Sequence, residues 1–210
     1  MSAAENPGAP VAGAQPPRGV RGVGRRLVEE AHALDHAVYD AVATTPTPTL
    51  DGPITWFSNA ANYSRLWVAI AAGIAATGGP RGRRAALRAL SVLGVTSAAT
   101  NLAVKQMVPR RRPERSIATP TREARMPTSS SFPSGHTASA FGFATAVTAD
   151  YPLLAAPLFG LATIVGYSRV HTGVHFPTDV IGGAILGVAV GTLATDATLH
   201  LGPLSRRTSA

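Results

Sequence analysis

Ser168-Arg169-Val170-His171-Thr172-Gly173-Val174-His175-Phe176-Pro177-Thr178-Asp179 lies between two strongly apolar segments, Leu153 to Tyr167 and Val180 to Leu199. Charges and imidazoles beside membrane-type helices are costly, so a cluster of them marks a functional site. Arg169 offers a planar fork of donors to an anionic oxygen. His175 has the chemistry of a nucleophile or base near neutral pH, and Asp179 that of a group holding its imidazole in one tautomer. His171, His175 and Asp179 also fall at i, i+4 and i+8, which on a continuous helix reads as a metal face. Pro177 argues against that helix, because proline suits a first turn and damages an interior. We therefore expect a helix starting near Pro177, with His175 just before it and Asp179 in its first turn. Neither a metal nor a cofactor is expected.

Composition places this stretch in a membrane protein. Only 14% of the 210 residues are charged, against about 25% in soluble domains. There is no cysteine, which excludes disulfides, thiol nucleophiles and cysteine-ligated zinc or iron–sulfur sites. The net charge of +8 comes largely from arginines lying between apolar segments. Such placement suits anionic lipid head groups or phosphorylated substrates. No motif that reads nucleic acid is present, so none is expected as a partner.

Residues 1–19 are rich in Ala, Pro and Gly and read as a disordered tail. With no apolar run near the start, a cleavable signal peptide is not expected. Leu27 to Ala43 carries Glu29, Glu30, His32, Asp35, His36 and Asp40 and is too polar to span. Its residues Leu27, Ala31, Leu34, Val38 and Val42 share a helical face, which predicts an amphipathic helix in the membrane interface with His32 and His36 solvated. Pro46, Pro48 and Pro53 should break the helix over Thr44 to Pro53. Ile54 to Ser64 then reads as a second interfacial helix with Trp56, Phe57 and Tyr63 as belt aromatics.

Apolar segments follow at Leu66 to Thr77, Ala85 to Val104, Thr137 to Ala149, Leu153 to Tyr167 and Val180 to Leu199. Arg88 is expected to snorkel from its span end, and Gly182, Gly183, Gly187 and Gly191 to form a close-packing face. The fold class expected is all-α, an integral membrane helical bundle with about five transmembrane helices. Residues 20–64 would be an interfacial amphipathic segment, 65–201 the transmembrane domain and 202–210 a basic tail.

Lys105 and Arg112-Pro113 lie at the exit of one span, Pro133-Ser134-Gly135-His136 at the entry of the next, and Ser168 to Asp179 between the following two. If each span crosses once, all three clusters share one side. Together they suit phosphoryl transfer, where catalysis is mostly positioning and charge stabilisation. Lys105, Arg112 and Arg169 supply three fixed charges, and Ser134 and Gly135 a helix N-terminus that favours an anion. His136 could protonate a leaving oxygen, while His175 attacks phosphorus. Arg110, Arg111 and Arg115 read as a solvated or lipid-facing basic face. His171 is either a substrate contact or a loop residue; His200 is expected at the interface, and Asp150 and Asp196 need no special role.

The pattern Lys105-x6-Arg112-Pro113, Pro133-Ser134-Gly135-His136 and Ser168-Arg169-x5-His175-x3-Asp179 resembles the three-part signature of the type 2 phosphatidic acid phosphatase superfamily. The resemblance covers roughly Ala60 to Leu199, and every signature position is present in order. It implies a metal-independent membrane lipid phosphatase acting through a phosphohistidine. The implied phosphate ligands are Lys105, Arg112, Ser134, Gly135 and Arg169, with His136 as general acid, His175 as nucleophile and Asp179 as its orienting partner. The implied partners are the bilayer and a phosphorylated lipid: a polyprenyl (di)phosphate, phosphatidate or phosphatidylglycerophosphate. The superfamily shares its site with soluble vanadate-dependent haloperoxidases, but the apolar spans here argue against that activity. A non-catalytic lipid-phosphate binder would not need both His136 and His175. Many bacterial relatives have a first full span where this chain has an amphipathic segment. The implied location is the cell membrane, multi-pass, with the active site on the extracytoplasmic face.

Overall fold

The computed structural model describes residues 20–115, 122 and 124–201. The tail over 1–19 and the basic end over 202–210 lie outside the described residues, as does the side chain of His200. Seven helices make up the described chain: α1 (Val20–Thr44), α2 (Pro48–Ala60), α3 (Arg65–Thr77), α4 (Gly79–Ala98), α5 (Gly135–Asp150), α6 (Ala155–His171) and α7 (Pro177–Leu201). From α4 the helix runs on through a π-helical segment, Ala99–Val104, to Lys105–Met107. The chain divides into two units between Leu34 and Asp35. Within the first, Arg25 pairs with Glu29 at 3.4 Å on an exposed face.

In the second unit α5 is the central helix. Almost every residue from Thr137 to Val147 is buried, as expected of a helix that is apolar on all sides. Helix α7 crosses it closely through Gly183, Gly187 and Gly191. A Cβ at Gly187 would stand 2.3 Å from the Ala138 carbonyl oxygen, so only glycine permits this approach. Ala85, Ala86, Ala89 and Val92 pack from α4, and Trp67 on α3 meets the Phe143 ring at 5.2 Å.

Outward faces are apolar too: Leu87, Val95, Leu102, Ile164, Ile181, Ile185 and Leu193 are exposed. A bundle that is apolar inside and out is solvated by lipid. Among the described residues, three helical stretches, Gly79–Met107, Pro152–His171 and Pro177–Thr198, are long and apolar enough to cross a membrane. The expected five also include α3 and α5, which at 13 and 16 residues fall short of the usual ~20.

Two local expectations are corrected. The helical break ends early: α2 begins at Pro48, in the first turn where proline is tolerated, and continues through Pro53. Arg88 does not snorkel. Its Nη1 donates to Asp150 at 2.7 Å, and Arg81 stacks over Tyr151 at 4.8 Å, forming a polar knot where the α5–α6 connection meets α4.

Candidate active site

The turn that carries His175 follows from local sequence. Helix α6 ends at His171, and Gly173 adopts the left-handed conformation (φ +65°) just beyond it. The Gly173 N–H donates to Val170 O at 2.9 Å and the Val174 N–H to Arg169 O at 3.1 Å, the bond pair of a glycine-terminated helix. This reversal lays His175 against the last turn of α6, its N–H on Arg169 O at 3.2 Å. Pro177 then opens α7, with Asp179 in the first turn. His171, His175 and Asp179 therefore do not share one helical face. His171 Nε2 lies 3.2 Å from Asp51 instead, so it is a buried helix-end residue rather than a loop residue.

Asp179 is fully buried and each of its oxygens is engaged. Oδ2 accepts the Ser131 hydroxyl at 2.5 Å and the Phe176 N–H at 2.8 Å, and lies 3.4 Å from His175 Nδ1. Oδ1 accepts Arg110 Nη1 at 2.7 Å. With Nδ1 turned to the carboxylate, His175 Nε2 faces Arg112, 3.3 Å from Nη1. Burial, reinforced by the Arg112 and Arg169 charges, holds the His175 pKa down at about 4 despite the opposing pull of Asp179. The imidazole is thus neutral at pH 7, with its lone pair available at Nε2.

The cations are held by backbone and hydroxyl groups. Arg112 donates to Val174 O at 2.6 Å, Ser129 O at 3.1 Å and Ser130 O at 3.2 Å. Lys105, just past the π-helical segment, reaches Ser129 Oγ at 3.2 Å. Arg169 is 2% exposed and donates to Ser58 Oγ at 2.7 Å, while its Nε has no protein partner. His136 Nε2 stands 2.9 Å from Asn62 Oδ1. Ser134 caps α5, its hydroxyl oxygen accepting the Thr137 N–H at 3.5 Å and the Thr137 hydroxyl at 2.9 Å. That oxygen faces the helix, and Gly135 is the residue that lines the cavity.

The cavity measures about 280 Å³; Lys105, Arg112, Gly135, His136 and His175 line it, with Trp67 and Tyr63 on the apolar side. Arg169 and His136 face an adjoining space of about 400 Å³. A cavity lined by two cations, a helix N-terminus and two imidazoles, with Arg169 on the adjoining space, fits a small, multiply charged anion.

Arg110 corrects an expectation. It is not a solvated face: Nη1 is on Asp179, and Nη2 pairs with Asp35 at 2.5 Å. Sequence reading also missed Asp35, Ser58, Asn62 and Ser131, each a polar residue of a common type with no motif around it. The one available signal was the Ser129-Ser130-Ser131 run directly before Phe132-Pro133.

Curated relatives match about a third of the chain. Undecaprenyl-diphosphatase BcrC of Bacillus subtilis is 33% identical over 63 residues, 30% of this chain and 33% of that protein. Lipid A 1-phosphatase of Porphyromonas gingivalis is 39% identical over 67 residues, 30% of this chain and 15% of that protein. The matched segments thus span a third or less of each relative. Among solved structures, the first transmembrane PAP2 type phosphatidylglycerolphosphate phosphatase from Bacillus subtilis aligns with a TM-score of 0.63 and 27% identity, over 83% of this chain and 89% of that one. The family model of the PAP2 superfamily matches residues 85–201, a continuous run from α4 to the end of α7 that takes in all three polar clusters. That match over more than half of its length shows that the chain belongs to the PAP2 superfamily.

Proposed function

We propose that this protein is a metal-independent membrane phosphatase that removes phosphate from a lipid phosphomonoester or diphosphate through a phosphohistidine. The observation that carries this reading is the His175 environment: Nδ1 faces Asp179 at 3.4 Å, and Nε2 faces a cation-lined cavity beside Arg112 at 3.3 Å. Nε2 attacks phosphorus, forming an N–P bond as the bond to the lipid oxygen breaks. His136 gives that oxygen a proton. Lys105, Arg112 and Arg169, with the N–H groups of Gly135 and its neighbours, stabilise the equatorial oxygens. Asp179 balances the charge that develops on the imidazole. In the second step His136 takes a proton from water, whose oxygen attacks phosphorus, and the N–P bond breaks to release inorganic phosphate. The three fixed cations supply the neutralisation that a metal supplies elsewhere.

The names of the relatives support polyprenyl diphosphate, phosphatidylglycerophosphate or another lipid phosphate as substrate. The decisive experiment is phosphate release by detergent-purified protein, with EDTA present, from polyprenyl (di)phosphate, phosphatidate and phosphatidylglycerophosphate. Release that vanishes in His175→Ala and is accompanied by an acid-labile phosphoprotein in the wild type is the expected result. Release that survives His175→Ala, or that requires added metal, overturns the reading.

We further propose a multi-pass arrangement in the cell membrane with this site on the extracytoplasmic face, α3 and α5 completing five crossings. Because the chain has no cysteine, a single Arg111→Cys variant reports the side directly. Labelling by an impermeant maleimide in intact cells is expected; labelling only after lysis reverses the orientation.

A further inference from the structure

Helix α1 is mostly exposed, yet Asp35, Tyr39 and Ala43 form a buried stripe at four-residue spacing. Tyr39 packs edge-on against Phe176, the residue after His175, at 5.8 Å. A purely packing role would favour an apolar residue at the first position of the stripe. Asp35, 1% exposed, is instead a carboxylate, and burying one is costly unless it is paired and hydrogen-bonded.

Its partners lead to the nucleophile. Asp35 Oδ1 accepts the Thr178 N–H at 2.8 Å, in the first turn of α7, and Oδ2 accepts the Thr178 hydroxyl and Arg110 Nη2. The same guanidinium donates through Nη1 to Thr178 Oγ1 and to Asp179 Oδ1, each at 2.7 Å. Its Cζ lies over the Phe176 ring, 4.6 Å from the centroid. Two carboxylates thus share one guanidinium, leaving the trio a net charge of −1. Were Arg110 paired with Asp179 alone, it would cancel the charge that an imidazolium at His175 requires. With Asp35 on its other edge, Arg110 fixes the Asp179 rotamer without neutralising it.

Resting on the phosphatase reading above, we infer that Asp35 and Arg110 are positioning residues for the reaction, acting through Asp179 on His175. The end of α1 from Asp35 onward thereby becomes part of the catalytic apparatus.

The test compares Asp35→Asn, Arg110→Lys and the double variant in full-length protein in detergent. It reads kcat, KM and competitive inhibition by inorganic phosphate. Each single variant is expected to lower kcat about tenfold while KM and phosphate inhibition stay within about twofold, because Lys105, Arg112 and Arg169 are untouched. The double variant should fall no more than about threefold below the worse single one, since both changes break one chain of contacts. Unchanged kcat in a folded single variant overturns the inference, as does a parallel loss of phosphate inhibition, which would make Arg110 a wall of the phosphate pocket. Should Asp35→Asn fail to fold, Arg110→Lys, which keeps the charge and loses the fork, decides by the same criteria. Wild-type protein that releases no phosphate, or His175→Ala that still does, overturns the phosphatase reading itself and is recognised before any Asp35 variant is assayed.

Discussion

Asn62 Oδ1 stands 2.9 Å from Nε2 of His136, and Asn62 belongs to a loop in which Tyr63 and Ser64 both adopt left-handed backbone. A side-chain amide oxygen accepts but cannot donate, so Asn62 favours the His136 tautomer or charge state with hydrogen on Nε2. Asn62→Leu should therefore impair protonation of the leaving oxygen. The loss is expected to be about tenfold in kcat for an alkyl phosphate and within about twofold for p-nitrophenyl phosphate, whose leaving group needs no proton. Equal losses on both substrates would remove Asn62 from that role.

Ser58 on α2 is the side-chain partner of the Arg169 guanidinium, which is almost wholly buried. Without the hydroxyl, Arg169 keeps its charge but loses its aim. Ser58→Ala is expected to raise KM about fivefold, the equivalent of one ordinary hydrogen bond, with a smaller change in kcat. Ser58→Thr should restore it, and steady-state kinetics distinguishes the two.

The pH profile of kcat/KM reports the free protein's groups. Proton binding at His175 Nε2 removes the nucleophile, so activity is lost as pH falls through its folded value of about 4, not through the ordinary 6.5. The same depression has a sign for stability: below 6.5 the unfolded chain binds this proton more readily, so the folded state weakens between 6.5 and 4. An acid limb of kcat/KM centred near 6.5 would place a different group in control.

Arg122, 1% exposed, ties α1 to α2. It donates to Asp51 at 2.8 Å, to the Val42 and Thr45 carbonyls at 2.8 and 2.6 Å, and to Thr47 Oγ1 at 2.9 Å. Arg122→Leu leaves the buried Asp51 carboxylate with only the Thr47 hydroxyl at 2.7 Å and His171 Nε2 at 3.2 Å, and should cost roughly 3 kcal/mol. The expected result is a melting midpoint in detergent lowered by several degrees.

A Cβ at Gly183 would lie 2.6 Å from the Ser134 carbonyl oxygen, at the point where α7 meets the start of α5. Gly183→Ala must shift the N-terminus that carries Gly135 and His136. Both activity and thermal stability should fall, whereas Gly160→Ala, with open space around its Cβ, should change neither.

Much of this architecture is written locally. Gly173 after a run ending in Arg169 and His171 dictates a helix stop, and Pro177 with Asp179 a helix start, because backbone conformation and capping are decided within a few residues. The glycines of α7 likewise announce a close helix contact, and the structure puts Gly183, Gly187 and Gly191 against α5. Low charge and apolar runs fix the membrane bundle, since lipid leaves the backbone few alternatives. The spacing of Lys105, Arg112, His136, Arg169, His175 and Asp179 was readable because span ends must alternate sides.

Tertiary structure alone decided which ordinary polar residues support that site. Nothing local separates Arg110 from Arg111, yet one is wedged between two buried carboxylates and the other is exposed. Asp35 and Asp179 are 144 positions apart in sequence and meet on one guanidinium only because the end of α1 that carries Asp35 and Tyr39 packs beside Phe176. Patterning reports what a residue's neighbours along the chain require. A buried charge is settled by neighbours across space, because only a partner within hydrogen-bonding distance can offset its loss of water.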